Sequence, residues 1–200
     1  MKLQLKFLTL FVLTTFCISC ETTQDSNPPQ CDSTNTEFNQ IFTSLLNIPT
    51  NLDIFSVDLN IHTYTFEVLS NKTICQIGYQ SPPNFNSTPY TIEIFNNTTN
   101  TLLYSGNHTF SLTATSYESI TPVPVQVGHS YTIKRIQNNA NGSATNLTGR
   151  IVLNGMVGSD GFGFPLIFGA LKITSASFYD ITPMYDNPQT LPYVDIVFQN

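Results

Sequence analysis

The stretch Thr63-Tyr64-Thr65-Phe66-Glu67-Val68 alternates polar and large apolar residues, and this two-residue period decides the fold. The same period returns in Tyr90-Thr91-Ile92-Glu93-Ile94 and in Val123-Pro124-Val125-Gln126-Val127. Successive side chains of a strand point to opposite faces of a sheet. Each stretch therefore predicts a strand with its large residues on one face and its polar residues on the other.

Further strands are predicted at Thr73–Tyr79, Leu102–Ser105, Thr109–Ser116, Tyr131–Ile136, Arg150–Leu153, Leu171–Tyr179 and Tyr193–Phe198. Turn-forming pairs such as Ser70-Asn71 and Asn96-Asn97 separate the strands. A parallel sheet would need helical crossovers, and the sequence shows none. Short strands at spacings of roughly ten residues predict an all-β fold, an antiparallel β-sandwich of jelly-roll-like size.

One short helix is predicted before the first strand. Its apolar residues follow the i, i+3, i+4, i+7, i+8 spacing of a helical stripe: Phe38, Ile41, Phe42, Leu45 and Leu46. The segment begins among Ser, Thr and Asn residues that cap helices, and Pro49 closes it. We expect the stripe to pack against the domain.

The composition of the 200-residue chain narrows the function classes. Hydrophobic residues make up 40% of it and charged residues 10%, where about 25% charged residues is usual. This apolar content is too high for a disordered chain, and the length suffices for one domain with a core. The formal charge of -6 and the pI of about 4.7 oppose binding to nucleic acid, which depends on clustered Lys and Arg.

The N-terminus has the form of a secretory signal. Lys2 and Lys6 precede the apolar run Phe7–Phe16, which ends in Cys17-Ile18-Ser19-Cys20. The run is too short to cross a bilayer core of roughly 30 Å as a helix, and a basic start followed by an apolar stretch marks a signal peptide. We predict that residues 1–19 are this signal peptide and that the chain is exported.

The end of the signal resembles a bacterial lipobox. Ser19 is the small residue before the cysteine, although Cys17 stands where the lipobox usually has Leu. The resemblance implies that Cys20 is lipidated and that the lipid anchors the protein in the bacterial cell envelope, in the outer membrane of a Gram-negative source. Cleavage and secretion without lipid is the alternative. Loss of both signal lysines leaves five Lys+Arg against 13 Asp+Glu, a formal charge of -8 that opposes any other membrane contact.

A polar segment follows the signal. Residues 20–36 have hardly any apolar side chains after Cys20, which predicts an extended, solvated tether. Residues 37–200 are then expected to form a single β-sandwich domain. Cys31 and Cys75 remain after processing and could form one disulfide in an oxidising compartment. Equally, Cys75 could be a small buried apolar residue.

The sequence offers few catalytic groups. It has three histidines and neither a Gly-x-Ser-x-Gly nor a His-Glu-x-x-His motif. His129 lies at a predicted turn, where exposed polar residues are expected. A glycosidase needs two carboxylates facing one cleft, and Asp160 and Asp186 are candidates in predicted loops. We therefore predict a protein that is not an enzyme, with a hydrolase acting on glycans as the alternative.

Candidate ligand-binding residues lie in loops. Gly155–Gly169 combines glycines and aromatics with little strand pattern, and predicts a long loop where ligands commonly bind. The aromatic rings outside the strand alternation are Phe85, Phe162, Tyr185 and Tyr193. We select Phe162 and Tyr185, with Asp160 and Asp186, as candidate ligand contacts. The two aspartates would also suit a structural Ca²⁺, whereas no Cys/His pair has zinc-ligand spacing.

Residues 60–137 resemble extracellular bacterial sandwich domains of unknown function. The resemblance rests on Asn71–Tyr79, on the strand Tyr90–Ile94, and on the valine strand Val123–Val127 followed by Gly128-His129-Ser130-Tyr131. It implies the same fold and envelope location and carries over no catalytic residues. We expect a non-catalytic binding module for a glycan or a surface protein. A purely structural surface protein is a further alternative.

Overall fold

A computed structural model describes residues 30–56, 61–81, 89–138, 149–155, 161–177 and 189–199. Within these ranges the chain forms one helix, α1 (Glu37–Leu46), and 12 strands. The strands are β1 (Asn51–Ser56), β2 (Ile61–Val68), β3 (Lys72–Tyr79), β4 (Tyr90–Asn96), β5 (Thr101–His108), β6 (Ser116–Val125), β7 (Ser130–Gln137), β8 (Gly149–Asn154), β9 (Leu166–Phe168), β10 (Leu171–Ser177), β11 (Thr190–Pro192) and β12 (Asp195–Phe198).

The strands of the described residues form three sheets. Their orders are β5-β4-β7-β2-β10-β9, β12-β3-β6 and β1-β8-β11. Every strand pair is antiparallel. The predicted all-β sandwich with one short N-terminal helix is therefore confirmed.

The six-stranded sheet and the β12-β3-β6 sheet face each other across the core. The rings of Tyr79 on β3 and Tyr90 on β4 lie with their centroids 5.0 Å apart. At the other end of the sandwich, the hydroxyl of Tyr131 on β7 accepts a hydrogen bond of 2.8 Å from the backbone N–H of Gln126, which follows β6. The β1-β8-β11 sheet contributes apolar side chains such as Leu191 to the same core.

The helix forms where the apolar stripe predicts it. Thr36 is its N-cap, and its hydroxyl accepts a hydrogen bond of 3.0 Å from the backbone N–H of Asn39, which satisfies one of the free donors of the first turn. The stripe is buried on the domain through Phe38, Ile41, Phe42 and Leu45. With ten residues, α1 is too short to span a membrane, and no helix in the described part of the chain is long and apolar enough to do so.

One strand prediction and one loop prediction were wrong. Residues 109–115, within the predicted strand Thr109–Ser116, are irregular, and β6 begins only at Ser116. Serine hydroxyls bond the backbone here: Ser111 donates its N–H to Ser116 Oγ at 2.9 Å, and such local bonds compete with a sheet ladder. The segment Gly155–Gly169, predicted as a loop, contains the edge strand β9, which pairs with β10. The three residues of β9 are too few to show the alternation of polar and apolar side chains that predicts a strand.

The described end of the predicted tether contacts the domain. Cys31 is bonded to Cys75 in a disulfide and forms an isolated antiparallel bridge with Gln199. Thr36 is buried, and its hydroxyl donates a hydrogen bond of 2.8 Å to Asp195. Cys31 and Thr36, both within the predicted tether of residues 20–36, therefore contact the folded domain. Residues 20–29 lie outside the described residues.

Candidate functional site

Most residues selected from the sequence lie outside the described part of the chain. These are the lipidation residue Cys20, the candidate ligand contacts Asp160, Tyr185 and Asp186, and the aromatic Phe85. Phe162 is described: it is half-buried, packs against the core, and meets the ring of Phe164 edge-on at a centroid distance of 6.5 Å. Part of the Phe162 ring is therefore used for packing.

Tyr193 belongs to the core and is not a surface ring. Its side chain is buried, and its ring meets Phe42 edge-on at a centroid distance of 4.7 Å. The guanidinium carbon of Arg150 lies 4.6 Å from the centroid of the Tyr193 ring. Tyr193 lies between β11 and β12, where every residue from Thr190 to Phe198 is buried.

Metal ligands do not converge in the described residues. No group of three His, Cys, Asp or Glu side chains there could hold an ion. The predicted Ca²⁺ ligands Asp160 and Asp186 fall outside this search.

The three histidines lie at three separate places. His108 Nε2 is 2.6 Å from the hydroxyl of Tyr104, and His129 Nδ1 is 3.0 Å from the amide nitrogen of Asn96. His62 is fully buried between the sheets. Among these described contacts there is no Ser-His-Asp arrangement of the kind that activates a nucleophile.

A shallow depression of 380 Å³ lies along the start of β3 and the end of β6. Its lining has a single charged side chain, Lys72, whose ammonium already lies 3.9 Å from Glu37. The depression therefore brings no uncommitted charge or reactive group to a ligand.

A buried polar cluster lies at the opposite end of the sandwich. We call it the Arg135 cluster, and its members are His62, Tyr79, Tyr90, Arg135 and Gln137. Each is within two residues of a strand end in β2, β3, β4 or β7. The register of the six-stranded sheet places His62 beside Arg135 and Tyr90 beside Gln137. Strand ends bring the chain to the loops, where ligands reach a sandwich.

The guanidinium of Arg135 is fully buried without a hydrogen-bond partner. Its Nε, Nη1 and Nη2 atoms are all buried and unbonded, and its Cζ lies 5.7 Å from the ring centroid of Tyr79 and 5.5 Å from that of Tyr90. Tyr79 Oη and both polar atoms of the Gln137 side chain are also buried and unbonded. Several hydrogen-bonding groups at this end of the sandwich therefore lack a partner in the described residues.

The other cations of the described chain are paired with carboxylates. The ion pairs are Lys72–Glu37 at 3.9 Å, Lys134–Glu93 at 3.2 Å, Arg150–Asp53 at 2.6 Å and Lys172–Glu67 at 2.9 Å. These cations are partly exposed. Arg135 is therefore the most deeply buried of the described cations, and it has no counterion among the described residues.

Burial of an unpaired guanidinium is expensive. The effective desolvation penalty is several kcal/mol per ion, and Arg stays protonated at every physiological pH. Two tyrosine faces each return about 0.5 to 2 kcal/mol through cation–π attraction. They leave the in-plane N–H groups unbonded. The arrangement is therefore unfavourable for stability alone, which is typical of a functional site.

The charge of Arg135 acts on its neighbours. Burial lowers the pKa of His62 well below its usual value, and the nearby Arg135 charge lowers it further. Burial also raises the pKa of Tyr79 above its usual value, against the opposing effect of Arg135. A Cβ placed on Gly149 would lie 2.7 Å from the His62 ring and 2.8 Å from Tyr79 Oη. Both groups are therefore neutral at physiological pH, and glycine is needed for their close approach.

A second buried network lies around Asp195. Its Oδ2 accepts hydrogen bonds of 2.8 Å from the hydroxyls of Thr36 and Tyr117. Burial raises the pKa of Asp195 to about 7, although both hydrogen bonds lower it. The network joins the helix cap to β6 and β12, and every described contact of Oδ2 is internal.

The strand β7 carries the signal that sequence analysis missed. The strand Tyr131–Ile136 was predicted, but Arg135 was not selected. Its alternation places Tyr131, Ile133, Arg135 and Gln137 on the buried face. A charged residue at an inward position of an alternating strand is the feature that could have identified the cluster.

No protein-family model matches this chain. A comparison with curated proteins likewise gives no significant match.

Proposed function

We propose that the protein is a lipid-anchored module of the bacterial cell envelope, which binds a ligand without catalysis at the end of the sandwich that carries the Arg135 cluster. Its ligand belongs to a glycan or a surface protein. The observation that carries the proposal is the separation of this end from the point where the N-terminal segment joins the domain.

The attachment point is fixed on β3. Cys31 is bonded to Cys75 in that strand and pairs with Gln199, whose N–H donates to the carbonyl of Thr73 at 2.9 Å. Tyr79 lies four residues beyond Cys75, which is about 13 Å at 3.3 Å per residue. A chain held by lipid at Cys20 would therefore leave the far end of the sandwich open to other molecules.

The disulfide also supports export. Disulfides persist in oxidising compartments such as the periplasm and the cell surface, and are rare in the cytosol. The Cys31–Cys75 bond therefore fits a chain that carries a signal peptide at residues 1–19.

Fractionation tests the anchor. The wild-type chain, expressed in a Gram-negative host, should partition into the detergent phase, and Cys20→Ala should move it to the soluble fraction. Cys17→Ala is the matched control, because this cysteine is removed with the signal. Detergent partition of Cys20→Ala equal to that of the wild type would refute lipid anchoring.

Binding is tested with the soluble Cys20→Ala chain on a glycan array and against proteins of the cell surface. We expect a specific ligand whose affinity falls when Arg135 is replaced by Lys, which keeps the charge and loses the planar fork. Phe162→Ala serves as a comparison outside the cluster. A ligand whose affinity depends on Phe162 and not on Arg135 would refute the assignment of the binding end.

A further inference from the structure

We propose that the Arg135 cluster binds a carboxylate group carried by the ligand of this module. This names the ligand chemistry of the binding module proposed above and rests on that function. The carboxylate would lie against the in-plane edge of the Arg135 guanidinium, between the ends of β3, β4 and β7.

The buried charge of Arg135 needs a single negative charge to balance it. The guanidinium is buried and, among the described residues, has no ion pair and no hydrogen-bond acceptor. A single negative charge balances it. A phosphate dianion would leave one negative charge in excess in the same low-dielectric surroundings, because the described cluster holds no second cation. A monoanion therefore fits best.

The shape of the Arg135 guanidinium matches that of a carboxylate. The rings of Tyr79 and Tyr90 lie 5.7 and 5.5 Å from the guanidinium carbon of Arg135. Their π-faces interact with its positive charge but accept none of its N–H groups. Arginine presents those groups as a planar fork that matches the two oxygens of a carboxylate. A planar, two-oxygen anion would therefore satisfy two parallel N–H bonds at once.

Additional donors lie in the same cluster. Tyr79 Oη and the Gln137 amide nitrogen are buried and have no partner, and both can donate to a carboxylate oxygen. The carboxylate would accept from the guanidinium and from these groups together. A buried polar network is favourable only when all of its members are satisfied, and the ligand would complete this one.

The Arg135 cluster lies where strands end. Tyr79 ends β3, Tyr90 begins β4 and Gln137 ends β7. The cluster is therefore buried at an end of the sandwich and not at the centre of its core. Ligands enter sandwich domains at such ends, between the loops that join the strands.

Arginine side-chain NMR tests the proposal directly. The chain has two arginines, Arg135 and Arg150, and Arg150 is held in a bidentate pair with Asp53 at 2.9 and 2.6 Å. In the ¹⁵N-labelled, soluble Cys20→Ala chain, sodium acetate replaces sodium chloride at constant ionic strength. We expect the Nε–Hε signal of Arg135 to shift along a saturating curve and that of Arg150 to remain in place.

Three outcomes would overturn the proposal. In the first, the Arg135 signal does not shift at about 50 mM acetate, a concentration well above a millimolar Kd. In the second, the signals of both arginines shift in parallel without saturating. In the third, the Arg135 signal responds equally when phosphate replaces chloride. Chloride bound as tightly as acetate would also leave the signal unmoved, and this result counts against the carboxylate assignment.

Tyr79→Phe provides a variant that keeps the fold. It removes a buried hydroxyl that has no partner, so the domain should remain folded, while acetate affinity should fall about three- to tenfold, as for one lost hydrogen bond of about 1 kcal/mol. Tyr104→Phe is the matched control on β5, where the hydroxyl bonds His108. Acetate affinity unchanged in Tyr79→Phe would overturn the role of this donor. Failure of lipid anchoring leaves this titration unaffected, so the two proposals can fail separately.

Discussion

Replacement of Asp195 by Asn should abolish one component of the pH dependence of stability. The side chain is fully buried, and its Oδ2 accepts hydrogen bonds from Thr36 and Tyr117. Burial raises its pKa from 3.8 to about 7 in the folded protein. Asn has the same shape and can accept both hydrogen bonds through its oxygen, but it carries no charge at any pH.

The magnitude follows from proton linkage. Between pH 3.8 and about 7 the folded state holds the Asp195 proton more tightly than the unfolded chain does, so stability is greatest at low pH and falls as pH rises through this window. A shift of about three pKa units corresponds to about 4 kcal/mol in total. About 3 kcal/mol of this loss falls between pH 5 and pH 8.

Urea unfolding at pH 5 and pH 8, followed by circular dichroism, measures the effect. The free energy of unfolding of the wild type minus that of Asp195→Asn should fall by about 3 kcal/mol from pH 5 to pH 8. The difference between the two proteins removes the opposite contribution of His62, whose lowered pKa makes stability rise with pH. A difference that is constant between the two pH values would refute the raised pKa of Asp195.

Two further predictions concern stability. Cys31→Ser should lower the free energy of unfolding by about 4 kcal/mol, because the disulfide to Cys75 closes a loop with a sequence separation of 44. Denaturant unfolding of the variant and of the oxidised wild type measures this difference, and equal stability of the two would contradict it. Gly149→Ala should cost about 1 to 3 kcal/mol, because its Cβ would meet His62 and Tyr79; an unchanged thermal midpoint would show that the two side chains can move away.

Much of the fold was predictable because burial follows the strand period. The alternation in Thr63–Val68 and Tyr90–Ile94 predicted β2 and β4, and the stripe from Phe38 to Leu45 predicted α1, because each element buries one face. The strand β9 has only three residues, which is too short for a period. The segment before Ser116 was predicted as a strand. It is irregular because a serine hydroxyl bonds its backbone in place of a neighbouring strand.

The candidate site was much less predictable. Rings outside the strand alternation, such as Phe162 and Tyr193, were expected to face solvent, but Tyr193 belongs to the core and Phe162 packs against it. The Arg135 cluster joins residues from β2, β3, β4 and β7, and no sequence spacing indicates that they meet. Arg135 itself was accessible to prediction, because an alternating strand with Tyr131 and Ile133 on its buried face places Arg135 on that face.

The bond between Cys31 and Cys75 determines how the domain would respond to mechanical load. In a chain held at its N-terminus, tension would pass through the disulfide into β3 and bypass α1. Because β3 is the middle strand of the β12-β3-β6 sheet, the pull is shared by hydrogen-bond ladders on both sides of the strand. After reduction, tension would instead reach the buried Thr36 and the first turn of α1. The oxidised domain should therefore withstand a pull on its N-terminus that would peel the helix from the reduced one.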